Sequence, residues 1–133
     1  MKRVIIGVLI MINTITNSYG KELAYQIISQ EKAKEMMEEN NNYIILDVRT
    51  DWEYKMGHIA GAINIPNEEI GHQEIEELPD KNQPILVYCR SGHRSKQASS
   101  KLAVLGYKNI YEFGGVITWE YGLVERKNIF LNK

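Results

Sequence analysis

Two uninterrupted apolar runs, residues 43–46 and 85–88, each stop on a residue with chemistry to offer, Asp47 and Cys89. Continuous rather than alternating apolar patterning marks strands buried on both faces, as parallel sheets require. Between and around these runs lie segments of helical pattern. Residues 25–28 read as a first strand, and Ser29 as the N-cap of a helix over 30–39 with Ala33, Met36 and Met37 on its apolar side. A short helix fits 51–56, capped by Asp51 and stopped by Gly57, followed by a strand over 62–65 that Pro66 ends. Residues 67–83 form a polar connector with one helical turn and an apolar spot at Ile75 and Leu78. After the strand at 85–88, a helix is expected over 95–105, with Ala98, Leu102 and Leu105 on one face and Gly106 ending it. A strand over 109–111, a Gly114-Gly115 turn and a closing helix over 116–121 complete the pattern. Strands alternating with helices specify an α/β domain with a small, mainly parallel, five-stranded sheet. In such sheets ligands bind at the carboxyl ends of strands, where Asp47 and Cys89 both fall.

The first twenty residues stand apart. Met1-Lys2-Arg3 is a short basic start, residues 4–12 are nearly all apolar, and 14–20 are small and polar. This is the pattern of a secretory signal peptide cut near Gly20/Lys21, leaving one domain over 21–133 and a periplasmic or secreted location. The apolar run is shorter than the roughly 20 residues that span a bilayer, and no cysteine follows it to carry a lipid, so no stable membrane anchor is expected after cleavage. Cleavage would remove Lys2 and Arg3, leaving 14 basic against 17 acidic residues, a balance that does not suit nucleic acid. The acidic clusters at 31–39 and 68–80 read as solvated faces.

Cys89 is the only cysteine of the chain, so it makes no internal disulfide and is either a buried hydrophobe or a thiol with a task. Its surroundings favour the task. A free thiol titrates near 8.5, and helix N-termini or nearby cations lower that to about 3.5–7.5. The helix expected after the loop points its positive end at Cys89, Arg90 and Arg94 add charge, and Gly92 permits the positive φ that turns successive N–H groups inward as an anion nest. A cysteine-dependent phosphatase or arsenate reductase would need an arginine six positions after the nucleophile to clamp phosphoryl oxygens. Position 95 is Ser, and the arginine comes one residue earlier, so the tighter loop favours sulfur chemistry.

Five stretches of the chain form a recognisable set: Leu46-Asp47-Val48-Arg49, Trp52-Glu53-Tyr54, the run from Gly57-His58-Ile59 through Ala60-Gly61-Ala62-Ile63-Asn64-Ile65-Pro66, then Val87-Tyr88-Cys89-Arg90-Ser91-Gly92-His93-Arg94-Ser95, and Gly114-Gly115 followed by Trp119. They span about residues 23–123. In them the chain resembles a rhodanese domain, of the small single-domain periplasmic kind. The resemblance implies helices on both faces of the sheet and a thiosulfate sulfurtransferase that carries sulfane sulfur as a Cys89 persulfide without metal or organic cofactor. Its donor would be a small anion such as thiosulfate, and its acceptor cyanide or a thiol, including a thioredoxin-like protein. Arg90 and Arg94 would hold the donor's oxyanion, the loop amides from Arg90 through Ser91, Gly92, His93 and Arg94 to Ser95 would stabilise the terminal sulfur, and Asp47 would hold the active-site backbone. Arg49 and Glu53 are expected to pair or to orient the loop, His58 to be a scaffold histidine, Gly114-Gly115 to bring backbone close to the active loop, and Trp119 to line core or pocket. A sulfur-carrier or partner-binding module with little turnover is the competing reading.

Overall fold

The computed structural model describes residues 24–71 and 73–125. The expected signal peptide at 1–20 and the chain end from 126 lie outside them. Among the described residues no helix is long and apolar enough to cross a membrane.

Five strands, β1 (Gln26–Ile27), β2 (Ile44–Asp47), β3 (Ile63–Asn64), β4 (Ile85–Cys89) and β5 (Ile110–Gly115), form one sheet in the order β1-β5-β4-β2-β3. Every neighbouring pair is parallel. β4 is wholly buried at the centre, which is why its sequence is apolar without alternation. Side-chain alternation then divides the core in two. Leu46, Val48, Ile85, Val87, Cys89 and Ile110 pack with Ala98 and Leu102 of α3 (His93–Val104), while Ile45, Leu86, Tyr88 and Phe113 pack with Ala33 of α1 (Gln30–Glu39) and with Tyr54 of α2 (Asp51–Met56). Helices thus cover both faces.

Local chemistry sets the element ends. The Ser29 hydroxyl accepts the Lys32 amide at 3.0 Å and starts α1. For α2 the expected cap moves back one residue. Thr50 Oγ1 accepts the Glu53 amide at 3.2 Å while Glu53 Oε1 accepts the Thr50 amide at 3.3 Å, a reciprocal capping box, and Asp51 is the first helical residue, paired with Lys55 at 2.7 Å. The closing helix expected over 116–121 is only a 3₁₀ turn, Val116–Thr118. Trp119 turns extended instead, packs its ring on Phe113 and donates Nε1–H to the Gly122 carbonyl at 3.2 Å. In the connector the helical turn is Asn67–Glu69, and Ile75 and Leu78 are buried. Near the end of the described chain, Val124 bridges His58 antiparallel through two backbone hydrogen bonds of 2.8 and 2.9 Å.

Candidate active site

Cys89 ends the central strand, in register with Gly115 of β5. Beyond it the chain must reverse into α3 within three residues. Gly92 does this at φ 102°, a left-handed conformation that costs a side-chain-bearing residue heavily, and α3 begins at His93, two residues before the expected start. Arg94 and Ser95 therefore belong to the first helical turn. The reversal aims amides back at the sulfur. Gly92 N–H donates to Cys89 Sγ at 3.0 Å, and the Ser91 and Ser95 amides point to it as well. Burial, at 1% exposure, pushes the thiol up, but the Ser95 hydroxyl and the amides of Ser95, Gly92 and Ser91 outweigh it and hold Cys89 below its ordinary value. Hydrogen bonds, more than the arginines, favour the anion.

Space for this loop depends on β5. A Cβ on Gly115 would fall onto the carbonyl of Arg90, so only glycine lets the two backbones pass. Ile117 N–H then donates to that same carbonyl at 3.2 Å. Behind the sulfur lies a residue that the sequence reading passes over. β5 runs past Tyr111 to Gly115, and its alternation turns Ile110 and Glu112 toward α3 and Phe113 away. Glu112 is 1% exposed; its Oε1 accepts the Ser95 hydroxyl at 2.6 Å and the Gly114 amide at 2.8 Å, and Ser95 Oγ is 3.4 Å from Cys89 Sγ. The signal was an acid at a core-facing position of an otherwise apolar run, just before Gly-Gly.

The charged loop residues separate. Arg90 and His93 are exposed, His93 lying 3.5 Å from the Gln97 amide. Arg94 reaches α2, where its two guanidinium ends donate to both oxygens of Glu53 at 2.7 and 2.9 Å. Hydrogen bonding from Arg94 holds the Glu53 carboxyl down at about 2, against burial and with help from Thr50. Glu53 is thus the partner of Arg94, not of Arg49. Arg49 doubles back on Asp47 instead, with Nη2–Oδ2 at 2.7 Å, Nε within 3.1 Å of both oxygens, and its own amide on Oδ1 at 2.9 Å. Arg49 Nη2 also donates to the Gly57 carbonyl at 2.6 Å, so this buried pair ties the end of β2 to the end of α2. The Asp47 carboxylate faces that turn, on the side of the sheet opposite Cys89. His58 stacks on Tyr54 with ring centroids 3.8 Å apart and its Nδ1 2.8 Å from the Tyr54 carbonyl, a scaffold position. Trp119 is half-buried between Phe113 and Tyr121. Among the described residues no group of three or more His, Cys, Asp or Glu side chains is placed to hold a metal ion.

The arrangement suits a sulfur that is negative and stays negative, because donors surround it from three amides and a hydroxyl. Comparison with known proteins places the chain in a family. Residues 29–120 match the model of the rhodanese-like domain. The chain is 39% identical over 71 residues to thiosulfate sulfurtransferase PspE of Escherichia coli, covering 53% of this chain and 68% of that one. It is 34% identical over 99 residues to thiosulfate sulfurtransferase GlpE of Coxiella burnetii, covering 74% and 90%. A tRNA uridine(34) hydroxylase of Buchnera aphidicola is 36% identical over 88 residues, 62% of this chain but only 28% of the hydroxylase. Among solved structures, a rhodanese with anions from E. coli superimposes with a TM-score of 0.58 at 34% identity, over 63% of this chain and 99% of the other.

Proposed function

The chain belongs to the rhodanese-like domain family, and on that premise we propose that it is a sulfurtransferase that moves sulfane sulfur from thiosulfate, or a similar small anionic donor, to a thiophilic acceptor. The observation that carries the reading is the cradle of Cys89, in which the Gly92 amide at 3.0 Å and the Ser95 hydroxyl at 3.4 Å serve one buried sulfur. Cys89 thiolate attacks the outer sulfur of thiosulfate, the S–S bond breaks, and sulfite leaves with the bonding pair, giving Cys89–S–S⁻. Cyanide or an acceptor thiolate then takes the terminal sulfur, and Cys89 thiolate returns. Arg90, exposed at the mouth, is the first cation an arriving anion meets, while Arg94, in the first turn of α3, is tethered by Glu53 of α2. Asp47 and Arg49 support the neighbouring strand end. Ser95, standing where a phosphatase would carry its arginine, turns inward to Cys89 and Glu112, which argues against phosphoryl transfer.

Residues 1–20 would act as a signal peptide, so the exported protein would begin near Lys21, as N-terminal sequencing would report. The 1% exposure of Cys89 also supports a second reading, a sulfur carrier that loads but turns over slowly until an acceptor opens the loop. Thiocyanate release from thiosulfate and cyanide decides between them. Parallel double-reciprocal lines, as a two-step exchange requires, are expected from the enzyme; a loaded thiol without turnover indicates the carrier, and neither loading nor turnover with any sulfane donor removes both.

A further inference from the structure

Ser95 has one hydroxyl proton and too many acceptors. Its Oγ lies 2.6 Å from Glu112 Oε1, 3.0 Å from the Gly92 carbonyl and 3.4 Å from Cys89 Sγ. While Cys89 is a thiol the chain is satisfied in one direction: S–H donates to Ser95 Oγ, and Ser95 O–H donates to the Glu112 carboxylate. Once Cys89 is a thiolate, the Ser95 hydroxyl is needed at the sulfur. The 2.6 Å contact between the two oxygens then requires the proton to sit on Glu112. A carboxylate and a thiolate joined through one hydroxyl would also repel each other at low dielectric, and a neutral carboxylic acid removes that cost.

We propose that Glu112 and Cys89 share a single proton through Ser95, so that a negative charge on either one opposes ionisation of the other. The proton leaves Sγ for Ser95 Oγ as the Ser95 proton passes to Glu112 Oε1, so the pair keeps one negative charge throughout and only its location changes. Glu112 acts through Ser95 and is a positioning residue. The surrounding charges do not replace it. Tyr25, on the β1 side, is neutral, and Glu112 helps to keep its hydroxyl protonated after burial has done so. From α3, Lys96 Nζ and Glu112 Oε1 approach the same space over Gly92, and Arg94 is paired with Glu53. Arg90 is exposed, and Gln30, the α1 side chain nearest the Gly114-Gly115 turn, is uncharged. Such coupling gives two macroscopic proton losses that belong to the pair.

The inference rests on the sulfurtransferase reading only in that this chemistry needs the thiolate. The test is the rate of Cys89 alkylation by iodoacetamide from acid to alkaline pH, in the full chain and in Glu112→Gln. The wild type is expected to gain reactivity in two steps. The variant should show one, reaching its plateau at least about one pH unit lower because no second charge opposes ionisation. Identical single steps in both would overturn the proposal. If Glu112→Gln does not fold, carbon-13 NMR of the Glu112 carboxyl in wild type and Cys89→Ser serves instead: two steps collapsing to one support sharing, and an unchanged titration refutes it. Thiocyanate turnover with indifferent pH profiles would remove the shared proton and leave the function. Split profiles without turnover would remove the function and leave the shared proton.

Discussion

Two buried carboxylates sit on the strands to either side of β4, and they are furnished in opposite ways. Asp47, the last residue of β2, has an arginine folded onto both oxygens and a backbone amide as well. Glu112, in β5, has a serine hydroxyl and a glycine amide on one oxygen, and the serine leads to the only thiol. Full compensation by a cation makes the first a fixed charge whose work is to hold β2 against α2. Compensation by neutral donors makes the second sensitive to whatever charge Cys89 carries. Under the proposed proton sharing, the same residue chemistry is scaffold on one side of the sheet and reaction apparatus on the other.

The largest expected effect comes from the wall between the two regions. Gly115→Ala drives a methyl group into the Arg90 carbonyl and the Ser91 amide, and should cost on the order of 4 kcal/mol in denaturant unfolding along with the reactivity of Cys89. A variant of wild-type stability would show that the loop has room to retreat. Next, Asp47→Ala leaves Arg49 buried with the Gly57 carbonyl and the Tyr88 ring, and should cost about 3 kcal/mol, the low end for a broken buried pair because those contacts persist. In the protein that remains folded, the pH dependence of Cys89 alkylation should be unchanged. If it moves as it does in Glu112→Gln, the contrast between the two carboxylates fails.

The smallest effect belongs to Glu53, which lies between the regions and has its carboxyl held at about 2 by Arg94. A depressed carboxylate adds stability that is present in full above its unfolded value near 4.5 and is lost as pH falls through about 2. Glu53→Gln should therefore lower stability by about 1 kcal/mol above pH 4.5, allowing for solvent screening. The gap should close as pH falls toward 2, seen as converging urea midpoints; a gap constant with pH would mean that packing, not charge, holds Arg94.

Much of this was legible in the chain because local chemistry and tertiary burial pointed the same way. The apolar runs ending at Asp47 and Cys89 are strands, Ser29 caps α1 where expected, and Gly114-Gly115 does bring backbone against the loop. The misreadings arise where side-chain pairing and the true length of a strand decide, neither of which the apolar pattern displays. Thr50 displaces Asp51 as the cap because Glu53 can close the box with it. Arg49 prefers Asp47 two residues back, which strand geometry hides until the turn is built. The closing helix yields to the pull of Trp119 onto Phe113. Glu112 was invisible because ending β5 at Tyr111 placed it in a polar turn. Only the full length of the strand reveals an acid in the core.

The central claim is that Cys89 takes and holds a sulfur atom, and intact mass spectrometry of the full chain after treatment with thiosulfate addresses it most directly. The wild type should gain about 32 Da, located on Cys89 by peptide mapping and removed by cyanide, while Cys89→Ser gains nothing. A wild-type mass that does not change with thiosulfate or any other sulfane donor, in folded protein with a free thiol, would contradict the account.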